Sequence, residues 1–285
     1  PYPSSDRSEG LANIMLDALN NVNQSLTVKR LMQWHQWLFN DPDWTMQRLR
    51  IGQLRGSEPM QVVSGRLDYP KVHFEAPPRE GLEERLNTFI AWFNQSLNDS
   101  LLDPLLRAGI THLWFVTLHP FDDGNGRITR TLTDLALAQM DEQSIRLYAM
   151  STAILNKRKS YYEILEQTQK NDSDITDWLV WFLDTLNDSL EKTLAQISRT
   201  LFKSQFWHKY SNLALSEEQR KVLNRLLDGG ENGFEHGISA SQYQKVAKTS
   251  KATATRHLSD LLEKECLVKL EGGGRNTRYQ INTQL

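Results

Sequence analysis

At 285 residues, with 39% hydrophobic and 24% charged side chains, the chain has an ordinary globular composition and enough length for one substantial core and a smaller second one. A formal charge of −2 at pH 7 gives no global attraction to nucleic acid, an anionic membrane or an acidic substrate, so any polyanion site must be local. The lone cysteine, Cys266, excludes an intramolecular disulfide and reads as a small core residue; with no apolar run of ~20 residues and no basic-then-apolar leader after Pro1, the expected setting is the cytoplasm, with no membrane partner.

A first helix is expected within residues 1–21, opened by Ser5 as N-cap with Glu9 one turn inside. Apolar steps of three and four predict further helices over 27–38, 80–97, 101–116, 128–140 and 175–201. In the second of these Leu82, Leu86, Phe89, Ile90, Phe93 and Leu97 share one face. Between Arg50 and Pro78 the pattern changes to short β-prone runs, Gln61-Val62-Val63 and Lys71-Val72-His73-Phe74. The turn residues between them, Ser64-Gly65-Arg66 and Asp68-Tyr69-Pro70, predict a hairpin over 61–75 standing off an all-α body.

After about Ser211 a helix over 215–227, ended by Gly229 and Gly230, leads to shorter ones over 239–248 and 252–264. Extended runs follow at 267–270 and 278–281, around Gly272-Gly273-Gly274. Three helices and a two-stranded wing predict a winged helix-turn-helix over 212–285, joined to a first domain over 1–205. Lys251, Thr253, Thr255, Arg256 and His257 near the start of the third helix, with Arg275 and Arg278 in the wing, offer contacts to DNA phosphates. Docking to a protein and homodimerisation stay open alternatives for this module.

The chemistry concentrates in His119-Pro-Phe-Asp-Asp-Gly-Asn-Gly-Arg-Ile-Thr-Arg130. Gly124 and Gly126 let backbone N–H groups approach an anion where the loop enters a helix, whose free N-terminal donors attract phosphate. Asp123 is a hard oxygen ligand suited to Mg²⁺ that keeps most of its waters and is shared with phosphate oxygens. Arg127 and Arg130, three apart, are placed to grip a polyphosphate. His119, with an unperturbed pKa near ~6.5, can take a proton from an attacking hydroxyl.

These residues resemble, without a mismatch, the Fic-family signature His-Pro-Phe-x-(Asp/Glu)-Gly-Asn-Gly-Arg-x-x-Arg. His112, the hairpin and the pair Tyr161-Tyr162 are similar to the same family, so the resemblance covers residues 1–200. It implies a mainly α, Fic-type helical bundle with a β-hairpin flap, followed by the small winged-helix domain. It further implies transfer of AMP from ATP, as substrate, to a Ser, Thr or Tyr hydroxyl of a target protein. In that scheme His119 is the base and Asp123 the Mg²⁺ ligand. Asn125 with the Gly124 and Gly126 backbone cradles phosphate, Arg127 and Arg130 hold the β- and γ-phosphates, and Tyr161 and Tyr162 lie near the adenine. Gln169 stands where the family often has Asn. The flap, through Val62 and Val63, pairs with an extended target segment. Ser5-Asp6-Arg7-Ser8-Glu9-Gly10 is similar to the family's inhibitory motif, which implies that Glu9 pairs with Arg130 and blocks the γ-phosphate position. The alternatives are another phosphate-group transfer or removal of AMP at the same cradle and, in a different class, a DNA-binding regulator that senses nucleotide without turnover.

Overall fold

A computed structural model describes residues 6–39, 49–66, 69–140, 150–170, 173–229, 234, 236–271 and 277–284. Ser5, Asp68, Gly230, Gly272, Gly273, Gly274 and Arg275 lie outside them. The fold is mainly helical. In chain order it runs α1 (Asp6–Asn20), α2 (Val28–Leu38), β1 (Gln61–Arg66), β2 (Tyr69–Glu75), α3 (Leu82–Gln95), α4 (Pro104–Leu118), α5 (Asn125–Met140), α6 (Met150–Asn156), α7 (Arg158–Lys170) and α8 (Thr176–Lys209). Then follow α9 (Glu217–Asp228), α10 (Ala240–Ala247), α11 (Lys251–Glu263), β3 (Leu267–Lys269) and β4 (Tyr279–Ile281). Two compact units divide it, Pro1–Glu191 and Lys192–Leu285.

In the first unit, local chemistry places the helix ends. The Thr27 hydroxyl accepts from Arg30 N at 3.1 Å to open α2. Asp103 accepts from Leu105 N at 2.8 Å in front of Pro104, which needs no N–H partner at the first helical position. The apolar stripes of these helices close over one core that includes Phe89, Phe93, Phe115, Phe121, Trp178 and Phe182, all fully buried. α3 ends at Gln95, before the expected residue 97, and Leu97 falls in a 3-10 turn with 41% exposure. α1 is tied to α2 by Asp17, which accepts from Arg30 Nε and Trp34 Nε1 at 2.7 Å each. The two helices approach tightly at Gly10, where a Cβ would lie 1.9 Å from the Trp37 carbonyl oxygen.

β1 and β2 pair antiparallel, Gln61 with Glu75 and Val62 with Phe74, and the register shifts between Val62 and Val63. α5 begins at Asn125, three residues before the expected 128, so the Asn-Gly-Arg of the motif forms the first helical turn and not the approach to it. α8 runs past 201 to Lys209.

In the second unit, Phe206, Val222, Leu223, Tyr243, Leu258, Leu261 and Cys266 form a separate core. Burial pushes the Cys266 thiol up to about 11, as suits a core residue and not a nucleophile. Ser216 with Gln219 and Ser239 with Gln242 make capping boxes on α9 and α10. β3 pairs antiparallel with β4, Leu267 opposite Ile281.

Candidate active site

α4 ends on His119, whose backbone takes a left-handed conformation with φ 47° and ψ 56°. That turn stops the helix and swings the following loop back toward α5. The loop is held from three sides. Arg55, itself buried, donates from Nε to the His119 carbonyl at 2.9 Å and from its backbone N to the Pro120 carbonyl at 2.9 Å. The Asn125 amide grips Phe121 twice, accepting from its N–H at 2.9 Å and donating to its carbonyl at 2.8 Å. His35 of α2 donates from Nε2 to the Asp123 carbonyl at 3.1 Å, accepts from Gly52 N on Nδ1 at 2.9 Å, and stacks on the Phe121 ring at 4.2 Å. Burial holds the His35 pKa below its ordinary value, which keeps that acceptor lone pair available. Gly124 has φ 83°, and a Cβ there would meet Phe39 and Leu38 at 3.1 and 3.2 Å, so only glycine passes this point without strain.

The imidazole of His119 is pinned by one bond, from Nδ1 to the Val116 carbonyl at 3.1 Å. A carbonyl cannot donate, so Nδ1 carries the proton and Nε2 keeps its lone pair. Burial, opposed by the Val116 bond, holds the His119 pKa below the usual histidine value.

His119 faces a cavity of ≈ 340 Å³. Its walls bring together Asp123, Asn125, Gly126 and Arg130 from the motif, Tyr161, Tyr162 and Gln169 from α7, and Val62 from β1. Asn125 and Gly126, which open α5, line this space, while the N–H groups of Arg127 and Ile128 donate to the Gly124 carbonyl at 3.0 Å each. Gly124 and Arg127 are not among the lining residues. Arg127 donates to Asp123 Oδ2 at 3.2 Å and lies 4.9 Å from the Phe39 ring centre. Of the two arginines expected to hold a polyphosphate, Arg130 lines the cavity, and Arg127 is drawn to the carboxylate one turn back. The Asn125 side chain, 2% exposed, is bound to Phe121 and shapes the loop, and Asn125 lines the cavity.

Glu9 is exposed on α1, and among the described residues no ion pair joins it to Arg130. The side chain of Val63 lies outside the described residues. In the second unit Lys251, Thr255 and Arg256 are exposed on α11. His257 instead meets Tyr243 Oη at 3.0 Å, and Arg278 donates to the Gly237 carbonyl at 2.9 Å. Arg278 is thus bound within the unit and not presented as a free phosphate contact.

Sequence reasoning missed Asp122, His35 and Arg55. Asp122 lines the cavity and accepts from Arg50 N at 3.0 Å. His35 had a faint signal, falling on the buried face of α2 with Leu31, Trp34 and Leu38; Arg55 acts on backbone carbonyls and had none.

Residues 25–137 match the model of the Fic/DOC family. The protein adenylyltransferase Fic of Nematostella vectensis is 32% identical over 96 residues, 34% of this chain and 21% of that protein. The Aedes aegypti protein of the same name is 28% identical over 177 residues, 62% of this chain and 30% of that protein. The chain thus spans less than a third of either relative. Among solved structures, a Fic family protein from Desulfovibrio desulfuricans superposes with a TM-score of 0.53 at 18% identity, covering 99% of this chain and 77% of the other. Fic-1 from C. elegans gives 0.51 at 20% identity, covering 70% and 55%. Both show a shared fold.

Proposed function

The domain at residues 25–137 belongs to the Fic/DOC family, and from that premise we propose that the chain transfers AMP from ATP to a hydroxyl side chain of a protein. The observation that carries the reading is the tautomer of His119: Nδ1–H bound to Val116 leaves a basic Nε2 on the wall of the cavity that also holds Arg130 and the start of α5. The adenylyltransferase relatives support the same class of reaction.

In this scheme Nε2 takes the proton of the target hydroxyl. The oxygen forms a bond to the α-phosphorus, the bond to the bridging oxygen breaks, and pyrophosphate leaves with the electron pair. The start of α5 and the Arg130 guanidinium face the phosphates and stabilise the charge that develops. No covalent intermediate is needed, because the cavity supplies orientation. Arg127 joins the grip only after leaving Asp123.

Mg²⁺ fits this donor set. Asp123 is a half-exposed carboxylate with oxygen lone pairs in reach of the cavity. Among the described residues no cluster of three His, Cys, Asp or Glu forms, so an ion here would rest on Asp123, phosphate oxygens and water, as Mg²⁺ prefers. When bound it neutralises phosphate charge.

Met60, Gln61, Val62 and Phe74 of the hairpin line the same cavity, which supports a flap role: a target segment pairs along a strand edge and presents its hydroxyl. α1 serves as the inhibitory element, seated through Gly10, with Glu9 needing to move toward Arg130 to act. We read α9, α10, α11 and the β3–β4 pair as a winged helix, a docking module for protein or DNA. The test is incubation with ATP labelled at the α-phosphate: wild type is expected to label protein, and His119→Ala to lose about 10²- to 10⁴-fold while still binding ATP. Transfer retained in His119→Ala removes the base assignment.

A further inference from the structure

Four buried side chains and two backbone carbonyls form a hydrogen-bonded chain between two walls of the cavity. Thr129 Oγ1 donates to the Asn125 carbonyl at 2.7 Å, and Thr133 Oγ1 donates to the Thr129 carbonyl at 2.8 Å. His112 Nδ1 lies 2.9 Å from Thr133 Oγ1, and His112 Nε2 lies 2.9 Å from Tyr161 Oη. A hydroxyl has one proton, and that of Thr133 is already given to Thr129, so Nδ1–H must donate to Thr133. A neutral imidazole has one N–H, so Nε2 must accept from the Tyr161 hydroxyl. The direction of every bond follows.

His112, Thr129 and Thr133 are fully buried, and Tyr161 is 6% exposed. Trp178 and Phe182 flank the His112 ring, with ring centres at 5.3 and 6.2 Å. An apolar residue would fill such a place without needing partners, so filling the core does not account for the chain. Its two ends do: Asn125, in the first turn of α5, and Tyr161, on α7, both line the cavity. We propose that His112 is a positioning residue for the nucleotide, locking the Tyr161 ring on one wall to the phosphate-facing turn of α5 on the other. The inference rests on the nucleotide reading of the cavity and extends it to residues that touch no ligand.

Two consequences follow. The Tyr161 proton is committed inward, so its hydroxyl offers a ligand only lone pairs. His112 must also stay neutral, because protonation would turn Nε2 into a donor facing the tyrosine proton; burial and the nearby Arg130 charge push its pKa down to about 3, which keeps the lock closed at any physiological pH.

Thr133 tests this cleanly, because it does not line the cavity and Thr→Val keeps the shape. Without the hydroxyl, Nδ1–H loses its acceptor, so the His112–Tyr161 pair loses its tie to α5. Affinity for ATP, titrated by calorimetry on the full chain, is expected to fall three- to tenfold in Thr133→Val, about the worth of one hydrogen bond, and in Tyr161→Phe. It should return in Thr133→Ser, and the Thr133→Val/Tyr161→Phe double variant should be no weaker than Tyr161→Phe. In labelled-AMP assays KM for ATP should rise more than kcat falls. Wild-type affinity in Thr133→Val, or additive losses in the double variant, overturns the positioning role. ATP binding without any AMP transfer by wild type sinks the transferase reading and leaves the binding series to decide His112; no ATP binding by wild type overturns both.

Discussion

A backbone carbonyl sets the tautomer of His119. The Val116 bond fixes which nitrogen is basic, and burial shifts the pKa down from the ordinary ~6.5. The neutral form, the one able to accept a proton, therefore persists to lower pH than in a free histidine. kcat/KM should be level through neutral pH and fall only as pH drops through the depressed value, below 6.5; a pH–rate profile with its acid limb centred above 6.5 contradicts the assignment. The residues of the motif were legible because each type has one obvious use with phosphate. The functions of Asn125 and Arg127 were less legible, since spacing alone does not show that an amide will close a loop on Phe121 or that Asp123 will capture a guanidinium one turn away. His112 stood out in the sequence only by resemblance; its partners lie 21 and 49 residues further on, a distance over which periodicity carries no information.

The loop into α5 is the element on which the site turns, and Gly124 is its hinge of conformation. Gly124→Ala places a Cβ in the left-handed region against Phe39 and Leu38, so it should cost about 1–2 kcal/mol of stability and reduce AMP transfer; thermal unfolding and labelled-ATP assays together check this, and a wild-type melting temperature contradicts it. Most helices with clean apolar steps were readable to within a few residues, although α8 runs eight residues past its expected end. The ends that moved did so for local reasons: Asn125 starts α5 early because its amide closes back onto Phe121, and Leu97 was lost to a 3-10 turn. α1 makes a separate forecast. Gly10→Ala cannot keep α1 seated, because the new methyl would meet the Trp37 carbonyl. If α1 restrains the site, both Gly10→Ala and Glu9→Gly should raise labelled-AMP incorporation several-fold. Unchanged incorporation in both removes α1 as the inhibitory element.

Across the whole molecule the charge is close to balanced, at −2, but it is divided unequally: Lys192–Leu285 carries 15 Lys and Arg against 9 Asp and Glu, a net +6, and the first unit carries −8. The second unit was legible as three helices and a strand pair because its stripes are short and regular. Its partner was not, because Arg278 turns inward and only a few cations on α11 stay exposed. With Lys251 and Arg256 as the phosphate contacts, duplex DNA should be held weakly, with a log K against log salt slope of roughly −2; a gel-shift series with a steep slope contradicts that picture and makes nucleic acid the principal partner. The first unit is the part whose chemistry can be tested at once. Intact-protein mass spectrometry after incubation with ATP and Mg²⁺ reads the transferred group directly. The expected result is a mass gain of one adenylyl group on the chain or an added protein, present with wild type and absent with His119→Ala. A gain of a different phosphate-containing group, or the same gain with His119→Ala, would contradict AMP transfer by an imidazole base at the mouth of α5.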